Sequence, residues 1–247
     1  MPFQRSEDAR PGGLGSHIRK AIERRRLAMP PPAAPAVRRT VMLGKPRRDI
    51  FVELCRRPCQ TASQVASSLR MSRTNVLWHV QALLKAGFLI KAKRDRAAFY
   101  LPTNLLSDGE VKLFQTLSDP TVRRSHIKIR ERPGLSHGEL TKAMGITRQA
   151  LHWQVLKLVE LNLVEVLVDG KYRRYAPTTV LESMARTHSR RTAMFRAALM
   201  KALREDGTAP SIVRVLPRSV LFKLRAGPRS SVLEVSTDPY DWALRPR

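Results

Sequence analysis

The chain repeats a residue pattern at a constant spacing of 75, without a gap, from about Pro46 to Leu106 and again from Thr121 to Leu181. Two of its three tryptophans, Trp78 and Trp153, fall at equivalent positions. Other identities kept in register are Arg48/Arg123, Arg57-Pro58/Arg132-Pro133, Arg73/Arg148, Val80/Val155, Leu83/Leu158, Tyr100/Tyr175 and Pro102/Pro177. Because the register is kept while most identities differ, the pattern predicts one structural unit used twice.

Each repeat is predicted to begin with three helices. The first helix ends at Pro58 or Pro133, since proline cannot continue a helix. The third helix begins after Ser72 or Thr147, whose hydroxyls can accept the free N–H groups of its first turn. The predicted ranges of the first two helices are about 47–57 and 61–69 in the first repeat, and 122–132 and 136–144 in the second.

The third helix is predicted to bury one face and to lead into a β-hairpin. Val76, Val80 and Leu83 lie at i, i+4 and i+7, which is the spacing of a buried helix face. Gly87 and Asn162 end the two third helices, because both residue types tolerate the left-handed backbone conformation. The hairpin strands are predicted at about 88–93 and 98–101, and at 163–168 and 172–176 with Asp169-Gly170 as the turn.

Four segments follow from this pattern. Residues 1–44 predict a basic, proline-rich tail without stable structure, and the alternative is a short basic helix from His17 to Leu27 within it. Residues 45–107 and 108–182 contain the two repeats. Residues 183–247 contain most of a C-terminal helix, which is predicted from about Val180 to Glu205, and the short strands that follow it. The helix carries an imperfect apolar stripe, so we expect it to form a homodimer or to pack on the second repeat.

The third helix of the first repeat resembles the signature of the arsenic-repressor-like (ArsR) and multiple-antibiotic-resistance-like (MarR) regulators. The residues that carry this resemblance are Ser72, Val76, His79, Val80, Leu83, Ala86, Gly87, Phe88 and Leu89, and more loosely Thr147, Leu151, Val155, Leu158, Leu163 and Val164. The resemblance spans roughly residues 45–182. It implies an α+β fold, mostly helical, with two tandem winged helix-turn-helix domains.

The resemblance also implies a surface for double-stranded DNA. The third helix of such a domain enters the major groove, where arginine can read guanine and asparagine or glutamine can read adenine. The hairpin, or wing, reaches toward the DNA backbone. The candidate contacts are Arg73, Thr74, Asn75, Lys91, Lys93, Arg94 and Arg96 in the first repeat, and Arg148, Gln149, His152, Lys171, Arg173 and Arg174 in the second. For the arginines, contact with phosphate alone is the alternative.

The sequence departs from the family pattern at Leu77 and Trp78, where these regulators often carry serine and a polar residue. An exposed Leu-Trp pair can contact thymine methyl groups or a ribose, or it can pack on a neighbouring helix. The coincidence of Trp78 with Trp153 favours packing. We expect His79 to lie in the core or on the helix surface.

The charge of the chain narrows the range of partners. A net charge of +26 points to a polyanion, either nucleic acid or an anionic membrane surface. No apolar run approaches the length of a membrane span. Residues 45–107 hold 12 basic and 3 acidic residues, for a net charge of +9, whereas residues 108–182 hold 12 and 9, for a net charge of +3. We therefore expect the first repeat to bind DNA more tightly.

Two cysteines, Cys55 and Cys59, give no disulfide framework, and no nearby histidine completes a metal site with them. The sequence contains no phosphate-binding loop, no dinucleotide-binding turn and no zinc-protease motif. We therefore expect no cofactor, no metal and no enzymatic activity, and a cytoplasmic location on the nucleoid.

The sequence favours a DNA-binding transcriptional regulator with two winged helices. One alternative is an architectural chromosome protein that binds DNA without regard to sequence, which the high charge favours. The other is a protein-interaction scaffold, which the acidic residues of the second repeat and the Leu77-Trp78 surface would suit.

Overall fold

The computed structural model of the chain describes residues 40–94 and 96–245. The predicted tail lies outside these residues except for its last five. Those five belong to the packed structure: Val41–Leu43 form a 3-10 turn, and Met42 is fully buried. The backbone N–H groups of Val41 and Met42 donate to the carboxylate of Asp206 at 2.9 and 3.0 Å. The described fold therefore starts before the predicted boundary at residue 44.

Residues 45–102, here called the first unit, form three helices and a hairpin. The helices are α1 (Lys45–Arg56), α2 (Ala62–Leu69) and α3 (Arg73–Lys85), and the antiparallel strands are β1 (Leu89–Arg94) and β2 (Ala97–Pro102). Thr61 caps α2, because its hydroxyl accepts from the Gln64 N–H at 3.3 Å while the Thr61 N–H donates to the Gln64 side chain at 2.8 Å.

Residues 120–177, here called the second unit, have the same order of helices and hairpin strands, with one short strand added between the first two helices. They comprise α5 (Pro120–Glu131), the short strand β3 (Leu135–Ser136), α6 (His137–Met144), α7 (Arg148–Glu160), β4 (Val164–Asp169) and β5 (Tyr172–Pro177). The strands form an antiparallel sheet in the order β3-β5-β4. The helix α4 (Asp108–Leu117) lies between the two units.

The backbone contacts that join the third helix to the hairpin recur at the spacing of 75 residues. The N–H of Thr103 donates to the Phe88 carbonyl at 3.0 Å, and that of Thr178 donates to the Leu163 carbonyl at 3.1 Å. Pairing at the base of each hairpin corresponds as well: Gln60 bridges Tyr100, and Leu135 pairs with Tyr175. The same sequence register is therefore kept in the backbone.

The left-handed backbone positions also coincide. Gly87 and Asn162 end α3 and α7 with φ of 76° and 53°, as their residue types predicted. Arg70 and Gly145 end α2 and α6 with φ of 53° and 64°. These residues turn the chain from the second helix into the third within three residues in both units.

Helix α4 was not predicted, although the sequence carries its signal. Ser107 and Glu110 form a capping box, in which the Glu110 carboxylate accepts from the Ser107 N–H at 2.6 Å. The same carboxylate is buried and accepts from Tyr240 at 2.8 Å, from Arg191 at 3.0 Å and from the ring of His188 at 3.0 Å. One side chain on α4 thus ties the segment between the units to the C-terminal part of the chain.

The C-terminal part consists of a long helix, a small sheet and a short helix. They are α8 (Val180–Glu205), the antiparallel strands β6 (Ala209–Val215), β7 (Ser219–Ala226) and β8 (Arg229–Ser236) in the order β6-β7-β8, and α9 (Tyr240–Leu244). The inner face of the sheet is apolar and buried through Val220, Phe222, Leu224, Leu233 and Val235. Strand β8 packs against α1 of the first unit.

The predicted packing of α8 on the second repeat is seen at its first turn, where Arg130 of α5 pairs with Glu182. Further along, Phe195 and Leu199 are buried and share a cavity of about 240 Å³ with Phe51 and Phe88 of the first unit. The apolar stripe of α8 is therefore covered within the chain. None of the helices among residues 40–94 and 96–245 is long and apolar enough to cross a lipid bilayer.

Candidate nucleic-acid interface

The third helices begin with a side-chain cap in both units. The Ser72 hydroxyl accepts from the Asn75 N–H at 3.2 Å, and the Thr147 hydroxyl accepts from the Ala150 N–H at 3.2 Å. A capped start fixes the first turn while leaving its side chains free to face solvent. All six candidate base-reading residues on these helices are exposed, namely Arg73, Thr74, Asn75, Arg148, Gln149 and His152.

The opposite faces of α3 and α7 anchor each helix to its unit. On α3 the buried residues are Val76, His79, Val80 and Leu83, and on α7 they are Leu151, Val155 and Leu158. His79 lies in the core, as expected, and its Nδ1 has no hydrogen-bond partner. Burial lowers the pKa of His79, and the nearby charge of Arg47 lowers it further. A neutral ring is therefore favoured at this position.

The first wing presents part of its predicted charge. Lys91, Lys93 and Arg96 are exposed, and Asp95, in the turn between the strands, lies outside the described residues. Arg94 is half-buried instead, and its guanidinium donates to the Thr116 hydroxyl of α4 at 2.6 Å. Its charge is thus turned toward the segment between the units and away from the other wing cations.

The second wing is divided in the same way. Lys171 and Arg173 are exposed, and the ammonium group of Lys171 lies 5.4 Å from the centre of the Tyr172 ring. Arg174 donates to the Asp169 carboxylate at 2.6 Å and to the Gly134 carbonyl at 3.0 Å. Part of the charge of Arg174 is therefore compensated inside the unit.

The comparisons with known proteins agree with the geometry of the first unit. The family model described as a helix-turn-helix domain matches residues 46–91, which run from the start of α1 into β1. Residues 46–91 are therefore similar to a helix-turn-helix domain. The match covers a minority of the chain and does not extend into the second unit or the C-terminal part.

A solved structure with local similarity is the DIP2311 protein from Corynebacterium diphtheriae. The identity is 20%, the alignment covers 54% of this chain and 26% of that one, and the TM-score is 0.22. This chain therefore spans about a quarter of that protein's length, and so low a TM-score does not indicate a shared fold. Comparison with curated proteins gives no significant match.

The prediction that Trp78 and Trp153 pack on neighbouring helices is wrong for this chain. Trp78 of the first unit is 62% exposed and Trp153 of the second unit is 55% exposed. The positions that face the core on both helices are already filled by smaller residues, which are aliphatic except for His79. Sequence periodicity alone could have placed both tryptophans on the outer face, since Trp78 lies two residues from each of the buried residues Val76 and Val80.

The two cysteines lie in the core of the first unit. Cys55 and Cys59 are both buried and not bonded to each other. Burial raises the pKa of the Cys55 thiol well above its ordinary value and that of Cys59 to about 12. Both are therefore protonated and unreactive at neutral pH. Among the described residues, no group of three or more potential ligands is placed to hold a metal ion.

Proposed function

We propose that this protein is a DNA-binding transcriptional regulator that reads duplex DNA through α3 and α7 and anchors itself through the two wings. The observation that carries the proposal is the helix-turn-helix domain at residues 46–91, whose third helix begins with exposed Arg73, Thr74 and Asn75. Residues in the first turn of such a helix reach base edges in the major groove.

The proposal treats the second unit as a second winged helix in tandem with the first. It is supported by the equal order of elements, by the caps at Ser72 and Thr147, and by the hydrogen bonds that recur 75 residues apart. Two recognition helices in one chain can occupy two successive half-sites, which most regulators achieve by dimerisation.

Each exposed residue has a defined task in this proposal. Arg73 and Arg148 donate bidentately to guanine, and Asn75 and Gln149 pair with adenine. Thr74 and His152 lie beside them on the same helices. Contacts with the phosphate backbone come from Lys91, Lys93 and Arg96 of the first wing and from Lys171 and Arg173 of the second.

The remaining features fit a binding protein on the nucleoid. A net charge of +26 draws the chain to DNA over long distances. The reaction class proposed is binding alone, with no cofactor and no catalysis. A homodimer through α8 would need another face of this helix, because Phe195, Leu199 and Leu203 are buried within the chain.

Two other functions each have one observation in their favour. The net charge favours an architectural protein that binds DNA without sequence preference. The outer surface of the second unit favours a protein-interaction scaffold, because it exposes several large apolar side chains. They are Trp153, Leu156, Val166, Leu167, Val168 and Tyr172.

Binding to duplexes of selected and of random sequence, measured at rising salt, separates the three functions. A regulator binds a selected duplex at least 10³-fold more tightly, on the order of typical specificity ratios. An architectural protein binds both equally, and a scaffold binds neither.

The first prediction is that Arg73→Ala and Arg148→Ala each weaken binding to the selected duplex by about 1–3 kcal/mol and relax specificity at one position. Arg190→Ala, which removes an exposed arginine from α8, is the matched control and should leave affinity within about twofold. An equal loss of affinity for duplexes of every sequence would indicate that the two arginines contact phosphate only. No loss in either variant contradicts the placement of α3 and α7 on DNA.

A further inference from the structure

The two equivalent tryptophans are used differently from the third. Trp78 and Trp153 expose 62% and 55% of their surface, although tryptophan is a residue that proteins usually bury extensively. Trp242, by contrast, stacks on Phe114 with ring centres 6.5 Å apart and lies under the guanidinium of Arg123 at 4.8 Å. Of the three tryptophans, all of which lie in the described part of the chain, Trp78 and Trp153 are the two that leave more than half of their surface exposed.

Both exposed indoles lie on the candidate reading face. Trp78 is four residues after Thr74 and Trp153 is four residues after Gln149, so each lies one helical turn further along the same side. The opposite side of each helix is anchored in the core. When the first turn meets base edges, the indole one turn later lies next to the same groove.

The surroundings of the indoles are cationic or neutral. The guanidinium of Arg47 lies 5.3 Å from the centre of the Trp78 ring, and the His152 ring lies 5.6 Å from the Trp153 ring. Helix α3 contains no acidic residue, and α7 contains one, Glu160, at its last position. An apolar surface that lies beside cationic groups and has few acidic neighbours is complementary to a polyanion that also exposes apolar groups.

We propose that Trp78 and Trp153 are DNA contacts whose indoles lie against thymine methyl groups and the adjoining deoxyribose in the major groove. The inference rests on the proposed function and adds a thymine preference to it, because the C5-methyl is the apolar group that the major groove displays. The residues that read polar edges then precede the residue that reads the methyl group by one turn.

Quenching of tryptophan fluorescence by acrylamide tests the contact without knowledge of the target sequence. The samples are the full chain and the variants W78F, W153F and W78F/W153F, each with and without saturating random-sequence duplex. We expect DNA to reduce quenching in the full chain, to reduce it less in each single variant, and to leave it unchanged in the double variant, which emits from Trp242 alone.

Affinity gives the second readout. Trp78→Ala and Trp153→Ala should each weaken binding to a selected duplex about tenfold, whereas Met194→Ala, which removes an exposed apolar side chain from α8, should not. The salt dependence of binding should stay unchanged, because no phosphate contact is lost. Replacing the contacted thymine by deoxyuridine should weaken the full chain and leave the corresponding tryptophan variant unaffected.

The outcomes separate the inference from the function on which it rests. The tryptophan variants could bind DNA with the affinity of the full chain and show the same protection from acrylamide, while Arg73→Ala binds DNA weakly. In that case the indoles do not contact the DNA, and the inference is overturned while the proposed function stands. If the protection of the tryptophan fluorescence from acrylamide depends on protein concentration and not on DNA, the indoles lie in a protein–protein contact. That result overturns the inference as well. If the full chain binds no duplex, both proposals fail.

Discussion

At the scale of single residues, some of the basic side chains form hydrogen bonds within the chain. The Arg48 guanidinium donates to the carbonyls of Met42 and Leu43 at 3.2 and 2.6 Å. Its equivalent, Arg123, donates to the carbonyls of Trp242 and Arg245 at 2.6 and 2.7 Å. Because these N–H groups are satisfied within the chain, the net charge overstates the number of cationic donors that remain free for an outside partner.

His126 on α5 makes the stability of the fold depend on pH. It is almost fully buried, and its Nδ1 has no hydrogen-bond partner. Burial, aided by the charge of Arg130, lowers the pKa of His126 to about 4. The unfolded chain binds a proton on this ring as the pH falls below about 6.5, whereas the folded chain does not. Stability from the neutral ring is therefore lost from pH 6.5 down to about 4.

We predict that His126→Leu removes part of this loss. The free energy of unfolding of the wild type should fall between pH 7 and pH 5 by up to about 1.4 kcal/mol per pH unit below 6.5 from this one group. Urea denaturation at the two pH values measures it. His152→Leu, at an exposed position on α7, is the control and should keep the full decline. An unchanged decline in His126→Leu would assign the effect to another group.

At the scale of elements, α4 and α8 hold the parts of the chain together. Glu110 on α4 is buried, which by itself would raise its pKa. Hydrogen bonds from His188, Ser107 and Tyr240 outweigh burial and hold the pKa of Glu110 at about 2. The carboxylate therefore stays charged and joined to α8 and α9 down to acid pH. This arrangement fixes α8 across the chain, where its far end covers the first unit.

Truncation of the buried side chains of α8 tests this packing. We predict that Phe195→Ala and Leu199→Ala each lower the free energy of unfolding by about 2–5 kcal/mol, because each enlarges a void beside Phe51 and Phe88 that is already present. Met194→Ala, at a neighbouring position that is 71% exposed, should stay within about 0.5 kcal/mol of the wild type. Equal stability of all three variants in urea would mean that α8 does not cover the first unit.

At the scale of the whole molecule, the charge that is free to meet DNA is unevenly divided. The first wing exposes Lys91, Lys93 and Arg96, and β1 and β2 carry no acidic residue. In the second wing, Glu165 and Asp169 lie on β4 next to the cations, and Asp169 holds Arg174. We therefore expect the first unit to provide the stronger electrostatic anchor.

Paired substitutions in the full chain measure this asymmetry. Lys91→Ala/Lys93→Ala should reduce the slope of log affinity against log salt by about 1.8, which is the loss of two phosphate contacts. Lys171→Ala/Arg173→Ala should reduce it by less, because the neighbouring carboxylates repel the DNA backbone. Arg186→Ala/Arg190→Ala on α8 is the control at equal charge and should leave the slope unchanged. A larger effect at the second wing would reverse the ranking.

The local structure of both units could be predicted from sequence, because it depends on neighbours in the chain. Prolines, caps and 3.6-residue periodicity placed the helices to within a few residues, and Asp169-Gly170 placed the second hairpin turn. The exposure of Arg73 and Arg148 follows from the same periodicity, since the buried residues of each helix occupy the opposite side.

Tertiary structure alone decided which basic side chains remain free of hydrogen bonds to distant parts of the chain. The Arg94 guanidinium donates to the hydroxyl of Thr116, which is 22 residues away in the sequence. The Arg123 guanidinium donates to the carbonyl of Trp242, which is 119 residues away. The same holds for the cover that α8 gives to the first unit. Such pairs form only when distant segments pack, and no local pattern encodes which segments meet. The sequence alone thus determined the two third helices and the outward position of their tryptophans, while the packing between distant segments decided which basic side chains remain open to solvent.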